Sequence, residues 1–223
     1  MARAAGRAQA ADGATGPVRR LSAVERREQL FEVALRLFAE RGYRATTMDD
    51  VAEAAGVTKP LVYQHFSSKR ALYLELVDSV AKELVSAIDL ATAAADGPRQ
   101  QVELGFAAYF HMVVTHEDAF RLLYGRNDAH DEELGDALRR VEDAIAEAID
   151  PLIAAGLDPD HRRFLAYAVV GMAEGASRRW VASRAGGRSD GQRPRPGTDA
   201  EARRLAGRLA DLAWAGLRSV HKD

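Results

Sequence analysis

The 223-residue sequence contains no cysteine, which excludes disulfides, thiolate metal sites and thiol redox chemistry. It also has no long hydrophobic run, since the longest, AYAVVGMA at 166–173, falls far short of the roughly 20 apolar residues of a membrane helix. Residues 1–16 have no apolar stretch of the kind found in secretion signals. We therefore predict a cytoplasmic protein without membrane contact.

Common catalytic motifs are missing as well. The chain has no HExxH, no GxSxG and no glycine-rich phosphate loop. His111, His116 and His161 have no matching nucleophile or set of metal ligands. His130 precedes Asp131, Glu132 and Glu133, which could bind a metal weakly, but a solvated helix start is the better interpretation. We expect neither an enzyme nor a bound metal or cofactor.

The chain also lacks a large excess of either charge, because 31 basic and 33 acidic residues leave a net charge of −2. This balance argues against general coating of nucleic acid, so any such contact requires a locally basic face. Residues 1–20 are rich in Ala, Gly and Arg and predict a disordered basic leader. Two interpretations of the leader are open: salt-dependent phosphate contacts or no contact at all.

What the sequence does contain is helical periodicity throughout. Apolar spacing and break signals predict helices at about 22–41, 48–55, 98–115, 117–125, 131–155, 159–184 and 199–220, with a short helix after Thr58 and a long one from Lys69 to the ADGP break. We predict an all-α fold, with a three-helix N-terminal domain at 21–67 and a helical C-terminal domain at 68–223. The Gly-, Pro- and Arg-rich residues 185–198 predict a mobile surface loop.

The segment 43–69 carries the clearest local signals. Thr47 is a good N-cap residue for one short helix, and Gly56 is suited to the left-handed conformation that ends it. Thr58 can cap the next helix, and Pro60 is tolerated in its first turn. The spacing predicts a helix-turn-helix.

The second short helix would bury Val62 and Phe66. Its remaining side chains suit the major groove of DNA in size and polarity. These side chains are Lys59, Leu61, Tyr63, Gln64 and His65. The alternative is an ordinary helical hairpin whose Tyr63 and His65 have no function.

Residues 22–75 resemble the N-terminal domain of the TetR family of bacterial transcription regulators. The family pattern GVSKGTLYHHFPSKEAL reads GVTKPLVYQHFSSKRAL here. The resemblance implies base contacts by Lys59, Pro60, Leu61 and Gln64, and phosphate contacts by Thr47, Thr58, Tyr63, His65 and Lys69. Pro60 and Gln64 depart from the usual pattern, so a different operator is expected, and Gln64 is able to form a bidentate pair with adenine.

The same resemblance implies a homodimer in which the last two long helices pair with their symmetry mates. Small or apolar stripes that permit such pairing are Phe164, Ala168, Gly171 and Gly175 on one helix and Leu205, Leu209, Leu212 and Gly216 on the other. The alternative is that both stripes are buried within one subunit. Two helix-turn-helix units would read a near-palindromic operator in double-stranded DNA.

A cluster of aromatic and apolar residues in the middle of the chain has two possible roles. It either packs as ordinary core or lines an apolar pocket for a small-molecule effector, enclosed by helices between 69 and 184. The candidate residues are Phe106, Tyr109, Phe110, Val113, Phe120, Leu123 and Tyr124, with Trp180 and Arg178 near the same region.

The stretches AFRLLYGRNDAHDEEL and GMAEGASRRWV resemble an actinobacterial branch of the family that responds to long-chain acyl-CoA. The hypothesis is ligand-controlled repression, in which an effector shifts the long helix that begins at Lys69 and changes the spacing of the two recognition helices. The alternative function is a helical adaptor that uses the same fold without specific DNA binding.

Overall fold

The computed structural model describes residues 21–124, 132–153, 156–185 and 197–219. These residues form α-helices joined by short turns, and no strand occurs among them, so the fold class is all-α as predicted. The helices are α1 Ala23–Ala45, α2 Met48–Ala55, α3 Lys59–His65, α4 Lys69–Ala93, α5 Pro98–Thr115, α6 Glu117–Tyr124, α7 Glu132–Ile149, α8 Pro159–Ala185 and α9 Asp199–Leu217. No helix in these ranges is long and apolar enough to cross a membrane.

Helix α1 begins with a reciprocal cap. The Ser22 hydroxyl accepts from the Glu25 amide at 3.2 Å, and the Glu25 carboxylate accepts from the Ser22 amide at 2.8 Å. The predicted apolar stripe is buried at Leu30, Ala34, Leu37 and Phe38. Helical geometry is interrupted at Gly42, whose φ of 81° and ψ of 168° confirm the predicted break.

Helix α4 connects the N-terminal domain to the rest of the molecule. It contacts α1 at one end and α5 and α7 along its length, and its predicted stripe is buried from Leu72 to Ile88. The Tyr73 hydroxyl donates to the Leu122 carbonyl at 3.2 Å, which joins α4 to α6. Because α6 also packs on α1, two helices carry the contact between the domains.

Helix α5 lies at the centre of the C-terminal domain, between α4 and α9. Helix α9 turns its alanines inward, since Ala202, Ala206, Ala210 and Ala213 are all buried. Alanines at this spacing form a narrow ridge that lets two helices approach closely. The intramolecular face of α9 is therefore the alanine face.

Helix boundaries differ from the predictions in a few places. The helix predicted at 131–155 gives way to a 3-10 turn at Asp150–Leu152, because Pro151 lacks the amide that a continuing helix needs. The helix predicted to reach 220 ends at Leu217. The predicted leader, the break at Gly125 and all but the ends of the predicted loop lie outside the described residues.

Candidate nucleic-acid interface and effector cavity

The helix-turn-helix is fixed at its first helix by side-chain caps. The Thr47 hydroxyl accepts from the Asp50 amide at 3.1 Å, and Asp50 accepts from the Thr47 amide at 2.7 Å. The Thr47 hydroxyl also donates to the Asp50 carboxylate at 2.6 Å. This hydrogen bond, then the one from the Thr47 amide and then the charge of Arg41 lower the pKa of Asp50. At the other end Gly56 adopts a φ of 66°, so both predicted signals are confirmed.

Helix α3 is held against α1 by its two apolar residues. Val62 and Phe66 are buried, with exposed fractions of 0% and 1%. The Phe66 ring stacks on Phe31 with centroids 6.1 Å apart, and the Arg27 guanidinium lies 4.8 Å from its centre. The opposite face of α3 consequently points to solvent.

That solvent face carries four of the nine residues predicted to contact DNA. Lys59, Pro60, Tyr63 and Gln64 are exposed, whereas Leu61 and His65 are half-buried. Because four of these side chains share one exposed helix of seven residues, the arrangement fits the width of a major groove.

Thr58, just before α3, and Lys59, its first residue, differ in their local contacts. Thr58 occupies the predicted N-cap position of α3 with extended backbone, but its side chain makes no capping hydrogen bond. Lys59 donates to Asp49 at 2.8 Å, and this hydrogen bond and charge raise the pKa of Lys59. Asp49 thus places a negative charge on the face that would meet DNA.

Lys69 lies at the start of α4 and binds the chain before α2. Its ammonium donates to the carbonyls of Tyr43 and Thr46, each at 2.9 Å, and sits 4.3 Å from the Tyr43 ring centre. One of its three N–H groups is left for another acceptor. Lys69 therefore ties α4 to the end of α1 and to the residue that follows it, a role that the sequence did not indicate.

An apolar cavity of about 80 Å³ lies in the C-terminal domain. Its walls come from α4, α5, α7, α8 and α9, so helices beyond the predicted range of 69–184 contribute. The lining residues are Ile88, Thr92, Gln101, Val102, Gly105, Phe106, Tyr109, Ile145, Ile149, Leu152, Ile153, Val169, Val170, Ala173, Ala213 and Leu217. The amphipathic pattern of α7 could have pointed to its isoleucines, but only the fold identifies which helix they face.

The predicted pocket residues separate into three groups. Phe106 and Tyr109 line the main cavity. Val113, Phe120 and Leu123 surround a smaller one of about 10 Å³, of which Tyr109 forms one wall.

Phe110, Tyr124 and Trp180 line neither of these two cavities. Phe110 is fully buried against Tyr109, with ring centroids 5.2 Å apart. Trp180 packs close to Gly197 and below the Arg184 guanidinium, which lies 4.7 Å from its ring centre. The structure therefore brings Trp180 to a different place from the one predicted.

The two predicted pairing stripes differ in exposure. On α8 all four residues are exposed, with Phe164 at 69%. On α9 Leu205 and Leu209 are half-buried, whereas Leu212 is 61% exposed and Gly216 is also exposed. The alternative of burial within one subunit is therefore wrong for the α8 stripe.

Comparison with known proteins gives the class of this molecule. Residues 30–76 match the family model described as bacterial regulatory proteins, tetR family. The chain is 32% identical over 164 residues to the HTH-type transcriptional activator FasR of Mycolicibacterium smegmatis. This alignment covers 73% of this chain and 75% of FasR. The chain belongs to the TetR family of bacterial transcription regulators.

Solved structures share the same fold. A TetR-like transcriptional regulator from Rhodococcus sp. RHA1 aligns with a TM-score of 0.71 and 23% identity over 90% of this chain and 100% of its own. FadR from Bacillus subtilis, solved in complex with stearoyl-CoA, aligns with a TM-score of 0.66 and 14% identity over 87% of this chain and 99% of its own. At these identities the likeness concerns the fold alone.

Proposed function

We propose that the protein is a ligand-responsive transcription regulator that binds a near-palindromic operator as a homodimer. The main support for this proposal is the exposed face of α3. This face presents Lys59, Pro60, Tyr63 and Gln64 to solvent. The buried Val62 and Phe66 hold the helix in place from the other side. The buried contacts fix the helix, and its exposed side chains face the solvent, where base edges and phosphates can reach them once Lys59 exchanges its Asp49 partner for DNA.

The proposed roles of individual residues follow the family pattern. Base contacts are assigned to Lys59, Pro60, Leu61 and Gln64. Phosphate contacts are assigned to Thr47, Thr58, Tyr63, His65 and Lys69, the last through the single N–H that its carbonyl partners leave. Gln64 is the main candidate for reading adenine, because its amide offers one donor and one acceptor.

Dimer formation through α8 and α9 is supported by the surface of the single chain. Phe164 and Leu212 are among its most exposed large apolar side chains, and pairing would remove both from water. An added Cβ at Gly171, Gly175 or Gly216 would meet no atom within 4 Å, so these positions leave room for a closely approaching partner helix. A dimer would also place two recognition helices on successive half-sites.

The effector is proposed to be a lipophilic small molecule, such as a long-chain acyl-CoA. The apolar lining of the cavity supports this class, as does the stearoyl-CoA complex of the Bacillus subtilis structure with the same fold. The cavity volume of about 80 Å³ is well below the roughly 300–1,000 Å³ typical of ligand pockets. An acyl chain would therefore have to push the surrounding helices apart.

This widening offers a route from effector to DNA. Ile88 and Thr92 of α4 line the cavity, while Lys69 at the other end of α4 binds the carbonyls of Tyr43 and Thr46. A shift of α4 would thus move the N-terminal domain. Coupling of roughly 1–3 kcal/mol, which is typical of allosteric pairs, changes operator affinity by roughly 5- to 150-fold.

The test is selection of random duplex DNA by the full-length protein, followed by binding to the best site over a series of salt concentrations. We expect a near-palindrome to be enriched. Gln64→Ala should weaken the free energy of binding to that site by about 1–3 kcal/mol. It should also bind equally well when one base in each half-site is changed.

Lys59→Met should also weaken operator binding, and Lys82→Met is its matched control because Lys82 is an exposed lysine on α4. The control should bind like the wild type. If no sequence is enriched and the remaining binding disappears as salt rises, the helical adaptor becomes the better interpretation.

Repression is the direction expected from the sequence, but activation is a second candidate because FasR is named an activator. A reporter gene carrying the selected operator separates the two. Deleting the regulator should raise expression if it represses, and should lower expression if it activates.

A further inference from the structure

Three hydroxyl groups are buried between α5, α6 and α8. They belong to Tyr109, Tyr124 and Ser177, whose exposed fractions are 4%, 8% and 0%. None of the three oxygens has a hydrogen-bond partner within the described residues. The Ser177 hydroxyl approaches that of Tyr109, but without hydrogen-bond geometry. Since buried polar groups are nearly always hydrogen-bonded, this cluster calls for a complementary group.

The hydroxyl cluster adjoins the apolar cavity. Helix α8 lines the cavity with Val170 and Ala173, and Ser177 lies one helical turn further along the same face. Tyr109 itself forms part of the cavity wall, and Tyr124 follows through Phe120, whose ring centroid is 5.9 Å from that of Tyr109 and 4.7 Å from that of Tyr124. Tyr124 and Ser177 do not line the cavity itself, so a molecule would reach all three hydroxyls by extending from the cavity past Tyr109.

The charges around the cluster define what it would accept. Burial raises the pKa of both phenols, so each stays a neutral donor. The carboxylates of Glu174 and Glu142 face Tyr124 and are opposed by Arg178, which pairs with Glu174. Burial and then the charge of Glu174 raise the pKa of Glu142. These charges therefore disfavour binding of a further anion at the hydroxyls, but they do not disfavour a neutral hydrogen-bond acceptor.

We propose that Tyr109, Tyr124 and Ser177 form the polar end of the effector site and bind a neutral carbonyl, as in an ester or thioester, carried by an apolar chain. This inference rests on the proposed effector cavity and narrows its ligand to esterified acids over free ones. A carbonyl oxygen has two lone pairs, so two of the hydroxyls can donate to it and the third can complete the network.

The experiment compares methyl decanoate with decanoate, which share the chain and differ in the charge of the head group. Binding of each is measured by calorimetry on full-length wild type and on Tyr109→Phe, Tyr124→Phe and Ser177→Ala. We expect the ester to bind the wild type more tightly than the acid. Each substitution should weaken ester binding by roughly 2- to 10-fold, the range for one hydrogen bond, and leave acid binding unchanged.

Tyr73→Phe is the matched control, because the Tyr73 hydroxyl is equally buried but donates to the Leu122 carbonyl. It should lower the melting temperature and leave ester binding unchanged, whereas the three cluster variants should melt no lower than the wild type. Equal ester binding by the cluster variants and the wild type would overturn the inference. The hydroxyls would then bind only an ordered water.

Two further results would also overturn the proposal. The first is tighter binding of decanoate than of methyl decanoate to the wild type. The second is no binding of either probe. Operator binding by the same preparations is measured in parallel, so loss of the effector proposal is distinguished from loss of the regulator proposal.

Discussion

Replacing Lys69 by methionine would test whether this residue is a structural tie or mainly a DNA contact. The substitution keeps the length and apolar stem of the side chain and removes the ammonium. In the structure that ammonium donates to the Tyr43 and Thr46 carbonyls at 2.9 Å and lies 4.3 Å from the Tyr43 ring centre. The two interactions with Tyr43 join the start of α4 to the last turn of α1, and the one with Thr46 joins it to the residue that follows α1.

The expected loss can be worked out from these contacts. A hydrogen bond from a charged donor contributes about 1.5–3 kcal/mol, and an exposed cation–π contact about 0.5–1 kcal/mol. The three contacts share one half-buried ammonium, and water can replace part of what is lost. We expect Lys69→Met to lower the free energy of unfolding by about 2–4 kcal/mol, which a typical domain with about 5–15 kcal/mol survives.

The assay is urea unfolding at a fixed protein concentration, with Lys82→Met as the control. Lys82 is exposed on the same helix, so its replacement should change the free energy of unfolding by less than about 0.5 kcal/mol. Equal stability of Lys69→Met and the control would show that Lys69 is not a structural tie. A simultaneous fall of about 0.9 in the salt dependence of operator binding would then assign Lys69 to a phosphate alone.

Three further predictions concern single residues. Gly56→Ala should lower the free energy of unfolding by about 1–2 kcal/mol, because a φ of 66° is unfavourable for a residue with a Cβ. The cost comes from the backbone alone, since an added Cβ would meet no atom within 4 Å. Gly56→Asn should lower the free energy of unfolding by less in the same urea assay. Phe66→Ala should lower it by about 3–5 kcal/mol and abolish operator binding, since Phe66 anchors α3. Because the folded-state pKa of Glu142 is raised, its ionised form costs stability at neutral pH, and that cost vanishes as pH falls through the raised pKa towards 4.5. Glu142→Gln should therefore unfold at higher urea than the wild type at pH 7 and at equal urea below pH 4.5.

The N-terminal domain was predictable because its signals are local. Thr47 caps α2 through a residue three positions away, and Gly56 ends α2 through its own backbone conformation. The Val62 and Phe66 pair followed from helical spacing alone. The position of Thr58 at the N-cap of α3 is confirmed, but its side-chain hydrogen bond is not, because a residue suited to capping does not have to form it.

Contacts between distant segments could not be predicted in this way. The partners of Lys69 lie 23 and 26 residues earlier and depend on where the chain turns after Gly42. The cavity brings together five helices, and periodicity tells which residues are buried without telling which helix they meet. On α9 the hydrophobic pattern favoured the leucine stripe, whereas close packing on α5 uses the alanines.

One helix belongs to both the cavity and the proposed subunit contact. Ala213 of α9 lines the cavity, and its neighbour Leu212 lies on the exposed stripe. The hydrogen-bonded backbone of a helix is rigid, so a ligand that displaces Ala213 also displaces the adjacent Leu212. Under the proposed pairing, effector binding and subunit association must then alter each other by the same factor. Effector titrations at protein concentrations well below and well above the subunit dissociation constant would then give different effector affinities even when no DNA is present.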